Sequence, residues 1–211
     1  MASLEVPYYQ VLALEQSIIE SAFPMSTIST PEDIKEEMER ELTADDIKRA
    51  IRLGKVPTGT GHDCFLKGVV VRLVISAPQY WWLQAGRYHF QDITSSQSKM
   101  HKLTKMDLHE QCNEYVFTDF IAKLNKFIPF YNNYEEYKKE HPEGYSKKEL
   151  FHIIVSNTPM GLKLTAGFTT NYLQLKTIYN QRAHHKLQEW RQFISWMEQL
   201  PRFKEFIKGG E

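Results

Sequence analysis

Hydrophobic and polar positions along the chain alternate in some stretches and recur at helical spacing in others. Residues 6–14 (Val6-Pro7-Tyr8-Tyr9-Gln10-Val11-Leu12-Ala13-Leu14) are rich in β-formers and predict a first strand. A turn-rich stretch over 24–31 then leads into a helix start. Thr30 suits the cap, Pro31 the first helical position, and Glu32 and Asp33 the positive end of the helix dipole. Thr43-Ala44-Asp45-Asp46 is a second start, a capping-box variant that opens a helix stopped at Gly54. Residues 30–54 therefore read as a short helical segment, solvated along its charge run. A loop is expected over 57–61.

The clearest strand lies within 65–77. Its core, Val69-Val70-Val71-Arg72-Leu73-Val74-Ile75, is nearly continuous and β-branched, which predicts burial on both faces. Pro78 ends it, and residues 79–86 predict a short helix with Trp81 and Trp82 inside. One helix is expected over 108–127, with Tyr115, Phe117, Phe120, Ile121 and Leu124 on its apolar side. Ser146-Lys147-Lys148-Glu149 is a further capping box, opening a helix to about 155. Residues 162–168 read as extended. A helix from Thr169 or Thr170 to Arg182 and another over 187–200 form a C-terminal pair, followed by a short helix after Pro201. No repeat is present. A few strands among many helices, without regular alternation, predict an α+β fold in one domain spanning 1–211.

Composition narrows the function. The chain has 211 residues and balances 26 Lys plus Arg against 26 Asp plus Glu, so it lacks the basic excess expected of a protein that wraps nucleic acid. At 42% hydrophobic and 13% aromatic it can bury enough surface to offset chain entropy. No basic n-region with a following apolar run opens the sequence, and no apolar stretch nears the roughly 20 residues of a membrane span. The two cysteines, Cys64 and Cys112, stand outside any CxxC spacing and are expected as reduced thiols. Together these features predict a soluble, cytoplasmic protein. The histidines lack metal-site spacing, so no metal is expected, and no GxGxxG, P-loop or GxSxG pattern occurs.

Two constellations carry candidate chemistry. Asn171 and Arg182 lie eleven residues apart, within roughly 20° of one helical face, with Leu175 and Ile178 between them and Gln174 at the border. Two bland roles stand beside a binding role: Asn171 as a helix cap and Arg182 as a snorkelling side chain. The second constellation is Gln84-Ala85-Gly86-Arg87-Tyr88-His89, followed by Thr94-Ser95-Ser96-Gln97-Ser98. Its arginine, histidine and hydroxyls on an irregular segment can hold an anion, or simply form a polar loop.

The C-terminal block resembles the flavin-dependent thymidylate synthases (ThyX). That family reads approximately P-x-G, a Thr, T-N-A-R-x-L-x-x-F-L-x-L-R, then A-Q-W-E. Here stand Pro159-Met160-Gly161, Thr165, Thr170-Asn171, Leu175 and Arg182, then Gln188-Glu189-Trp190 with the last two exchanged. Upstream, Gly61-His62, the strand ending at Pro78, and Gln84 and Arg87 fall in register with the family's Gly-His, its apolar strand ending Ala-Pro, and its signature Q-x-x-R-H-R-x-x-S-x-N-E-x-S-x-R-Y. Ser98 matches its later Ser after one inserted residue. The family's R-H-R reads Arg87-Tyr88-His89, Met100 stands where a phosphate-gripping arginine falls, flanked by Lys99 and His101, and Leu173 replaces the arginine of T-N-A-R.

The resemblance implies a mixed sheet flanked by helices, with a long C-terminal helix pair, in a homotetramer. It implies FAD, with NADPH and methylenetetrahydrofolate as co-substrates, in the conversion of dUMP to dTMP. Arg182 would act on the pyrimidine as the catalytic residue. Arg87, His89, Asn171 and His62 would contact flavin, and Gln84, Ser98 and Lys99, with Arg182, would hold the nucleotide. The substitutions at Tyr88, Met100 and Leu173 leave a non-catalytic descendant that sequesters or senses a nucleotide as the alternative. A third possibility is an interaction protein that uses Trp81-Trp82 and the aromatics over 131–137 as contacts.

Overall fold

The computed structural model describes residues 3–207. The chain opens with β1 (Glu5–Leu12) and α1 (Leu14–Glu20). Next come α2 (Pro31–Glu39) and α3 (Ala44–Gly54), then β2 (Val70–Pro78), α4 (Gln79–Ala85) and β3 (Asp92–Ser96). A run of helices follows: α5 (Lys99–Lys102), α6 (Leu108–Gln111), α7 (Thr118–Asn132), α8 (Tyr134–Glu140) and α9 (Lys147–Ser156). Strand β4 (Lys163–Asn171) then leads into α10 (Tyr172–Arg182), α11 (Gln188–Met197) and α12 (Phe203–Ile207).

The three sequence caps form as their chemistry requires. Thr30 accepts from the Asp33 amide, and Thr43 with Asp46 and Ser146 with Glu149 close reciprocal capping boxes. In the loop over 57–61, Gly59 and Gly61 take positive φ, conformations that a side chain would strain.

The strands form one sheet in the order β1-β2-β4-β3, and every pairing is antiparallel. The α+β class holds, while the sheet is antiparallel rather than mixed. The apolar run of β2 also behaves differently from its sequence expectation. Val71, Leu73, Ile75 and Ala77 are buried on one face, whereas Arg72 is exposed and Val70, Val74 and Ser76 are half-buried on the other. Helices cover only the first face. The strand begins at Val70 because residues 64–67 wind into a 3-10 turn, and Gly68 packs so closely on the Ser17 hydroxyl that no Cβ fits there.

Two apolar clusters hold the chain together. The larger joins the covered sheet face to α4, α10, α11 and α12 around Trp81, Trp190, Phe193 and Phe206. The smaller packs α7 and α9 around Leu108, Ile121, Leu124 and Ile154. Leu162 and Leu164 belong to the smaller cluster and Phe168 to the larger, so β4 runs from one to the other. The helix expected over 108–127 is broken. Cys112 bridges to Leu162 and the Asn113 amide donates to the Gly161 carbonyl, which withdraws those backbone groups from a helical ladder. Both cysteines are free, and burial pushes the Cys112 thiol up to about 11. Among the described residues no helix is long and apolar enough to cross a membrane.

Candidate functional site

Helix α10 organises the site. Asn171 is its N-cap, and Asn171 Oδ1 accepts from the Gln174 amide at 2.9 Å. The helix begins at Tyr172, two or three residues later than expected, because residues 169–171 stay in β4 opposite Arg72, Val71 and Val70. Leu175 and Ile178 are buried beneath the stripe, as the spacing predicts. Lys176 is also buried, on the same helix.

At the C-terminal end of α10, Arg182 Nε donates to the Tyr88 hydroxyl at 2.8 Å. The guanidinium carbon lies 5.0 Å from the Trp190 ring centre and 5.7 Å from that of Tyr88. Two aromatic faces and one hydrogen bond thus fix the guanidinium plane. Tyr88 in turn donates to Gln181 Oε1 at 3.1 Å. Trp190 Nε1 donates to Gln84 Oε1 at 2.9 Å. Gln84 and Arg182, distant in sequence, therefore meet around one buried indole. Neither Nη1 nor Nη2 of Arg182 has a hydrogen-bond partner among the described residues.

The remaining candidates fall elsewhere. Arg87 and His89 are exposed beside Tyr88, with no side-chain hydrogen bond among the described residues. Ser98 is the N-cap position of α5. Lys99 Nζ donates to Gln79 Oε1 at 2.5 Å, and Gln79 Nε2 donates to the Pro159 carbonyl at 3.0 Å. Asn171 lines a cavity of about 280 Å³ with Thr58, Lys67, Phe90, Leu173, Gln174 and Thr177. His62 lines a separate cavity of about 870 Å³, where Arg52, Phe23 and Phe65 also stand. Gln84 and Arg182 share one indole, Arg87 and His89 flank the Tyr88 that supports Arg182, and Asn171 and His62 line two separate cavities.

Three features of the site escape the sequence. Tyr88 reads as a lost histidine or arginine but supports Arg182. His185 lies edge-on to Trp190, with ring centres 6.2 Å apart, and its Nδ1 accepts from the Leu187 amide at 3.2 Å. Burial first, then the charges of Arg182, Arg191 and Lys186, lower its pKa. Glu189, 1% exposed, accepts a 2.5 Å hydrogen bond from Tyr80, whose hydroxyl also accepts from Asn113 Nδ2 at 2.9 Å. Burial, followed by the Glu189 hydrogen bond and charge, raises the Tyr80 pKa, so this phenol keeps its proton.

No protein-family model matches the chain, and no curated protein is significantly similar to it in sequence. Its fold is nonetheless matched among solved structures. A crystal structure of thymidylate synthase X from Helicobacter pylori with FAD and dUMP superposes with a TM-score of 0.61 at 14% identity. A second, of flavin-dependent thymidylate synthase ThyX from the same organism complexed with FAD and dUMP, gives 0.57 at 14% identity. Each match covers 98% of this chain and 97% of the other. The described residues have a ThyX-like fold.

Proposed function

We propose that this chain is a flavin-dependent thymidylate synthase-like enzyme. Its substrate is dUMP or a related pyrimidine nucleotide, with methylenetetrahydrofolate and NADPH as co-substrates. The observation that carries the reading is Arg182, clamped between Tyr88 and Trp190 in a ThyX-like fold with its Nη atoms uncommitted. A guanidinium held in this way offers a fixed fork to a pyrimidine carbonyl edge and stabilises charge that develops on the ring. Gln84 adds a neutral contact to the same edge. Arg87, His89 and Ser98 are the phosphate and cofactor contacts, and soluble cytoplasmic chemistry is consistent with this assignment.

The residues around Asn171 fit part of a flavin. Phe90 and Leu173 supply apolar surface, Asn171 Nδ2 and the Gln174 and Thr177 side chains supply polar contacts, and Lys67 supplies a cation. About 280 Å³ lies just below the range of sites that enclose a drug-sized ligand, so a second copy of the chain in a homotetramer would complete the FAD site, with His62 as one contributor. When bound, the flavin supplies the hydride chemistry. This chain's residues bind and orient the base and hold its carbonyls against donors.

A second reading, a non-catalytic protein that sequesters or senses a nucleotide, draws on two observations. Met100 is 56% exposed at the position of a phosphate-gripping arginine, and the Lys99 ammonium is turned onto Gln79. The absorbance spectrum of the purified protein, before and after FAD addition, separates the two. A flavin spectrum together with tritium release from labelled dUMP, given folate and NADPH, supports the enzyme. Calorimetric binding of dUMP without flavin supports the second reading. Binding of neither ligand removes both.

A further inference from the structure

The rim of the site is stitched across two helices at two points. Tyr80 and Gln84 stand four residues apart on α4 and so share a face. Glu189 and Trp190 stand in the first turn of α11. Tyr80 donates to Glu189 at 2.5 Å, and Trp190 donates to Gln84 at 2.9 Å. Glu189 is 1% exposed and Trp190 is fully buried, so little water competes for either bond.

Hydrogen-bond inventory then decides what the site shows a ligand. An indole N–H only donates, so the Gln84 amide must turn its oxygen to Trp190 and its NH₂ away from it. Tyr88 has given its proton to Gln181, and its oxygen accepts from Arg182. On the two base-binding side chains the uncommitted groups are Gln84 Nε2 and Arg182 Nη1 and Nη2, all of them donors.

We infer that Trp190 is a positioning residue that sets the hydrogen-bond polarity of the site. Its N–H locks the Gln84 amide with donors outward while its ring face supports Arg182, which selects a 4-oxo pyrimidine nucleotide over a 4-amino one. A carbonyl meets a donor at this edge. Where the Gln84 NH₂ faces position 4, an exocyclic amino group sets N–H against N–H and leaves both unpaired, while O2 is open to Arg182 in either base. The inference rests on Gln84 and Arg182 as base-binding residues.

The test compares dUMP with dCMP by calorimetry on the wild type, Trp190→Phe and Gln84→Glu. Trp190→Phe keeps an aromatic face under Arg182 and frees the amide to turn over. The wild type is expected to favour dUMP about tenfold or more, and Trp190→Phe to bring the ratio near one. Gln84→Glu keeps an acceptor for the indole, turns a second acceptor outward, and is expected to favour dCMP; it serves where Trp190→Phe fails to fold. A purely structural tryptophan would weaken both nucleotides alike. An unchanged ratio in the variants, or equal binding by the wild type, overturns the inference while leaving nucleotide binding intact. If the wild type binds neither nucleotide, the nucleotide reading itself fails, and ¹⁵N NMR of the Gln84 side-chain amide judges the inference. One fixed orientation that becomes exchange-broadened in Trp190→Phe upholds the lock, and an unaltered amide refutes it.

Discussion

Lys176 Nζ lies 2.6 Å from Asp63 Oδ2, and both side chains are at most 3% exposed. The same ammonium donates to the carbonyls of Gly54 at 2.8 Å and Val56 at 2.6 Å. All three ammonium protons are thereby used, and the segment from the end of α3 to Asp63 is fastened onto α10. The fastening continues to α12, because Gly54 packs against Phe206 where a Cβ would lie 2.9 Å from the phenylalanine Cβ. Lys176→Met strands a buried carboxylate and two carbonyls, and breaking a buried pair from one side costs about 3–5 kcal/mol. Urea unfolding should show the unfolding free energy fall by that amount, with a lower midpoint. Adding Asp63→Asn should recover part of it, since the uncompensated charge is gone.

Arg182 should be indispensable to nucleotide binding. Hydrogen bonds to charged groups contribute about 1.5–3 kcal/mol each, so Arg182→Ala should weaken dUMP binding by about 10- to 150-fold or more in calorimetry. Tyr88→Phe keeps the ring beside the guanidinium and deletes the acceptor for Nε together with the exposed donor to Gln181. Its loss should be smaller, about 1 kcal/mol or roughly fivefold. Equal binding by Arg182→Ala and the wild type would leave the aromatic-patch interaction reading as the survivor.

Much of this arrangement was legible along the chain, and what was hidden has identifiable causes. Caps are local, so Thr30, Thr43 and Ser146 announced α2, α3 and α9 correctly. β3 was missed because Asp92, Ile93, Thr94, Ser95 and Ser96 are all exposed on an edge strand, with no buried face to impose alternation. The two-sided burial expected of β2 failed because helices cover only one face of the sheet. Asn171 and Arg182 were placed on one stripe by spacing alone, but Lys176 gave no sign that its partner stood 113 residues upstream. Tyr88 was legible only as a departure from a motif, and its role emerged when α10 brought Arg182 against it. His62 and Asn171 line separate cavities, and a list of motif positions carries no such distances.

Gly161 links the backbone to the Tyr80–Glu189 pair. A Cβ there would lie 2.5 Å from Val116 Cγ2 and 2.6 Å from Asn113 Oδ1. Asn113 donates to the Tyr80 hydroxyl, so displacing it loosens the contact between α4 and α11. Gly161→Ala should cost about 1–3 kcal/mol through overpacking, read from the thermal midpoint. Asn113→Ala tests the route separately: it removes the donor to Tyr80 and relieves part of the clash, so Gly161→Ala should cost less on that background than on the wild type.

His185 makes the rim sensitive to acid. Burial and the nearby charges of Arg182, Arg191 and Lys186 lower its pKa in the folded protein, and its neutral Nδ1 accepts from the Leu187 amide. The folded state therefore binds fewer protons than the unfolded chain around the ordinary imidazole value of about 6.5. The resulting stabilisation is fully present above that pH and is lost as pH falls through the lowered folded-state value. Protonation also costs Nδ1 its lone pair and places a second cation beside Arg182. His185→Asn keeps a short acceptor for the Leu187 amide and does not titrate. Between pH 7.5 and 5 the wild type should lose more unfolding free energy than His185→Asn. A matching slope in both proteins would remove His185 as the source of that dependence.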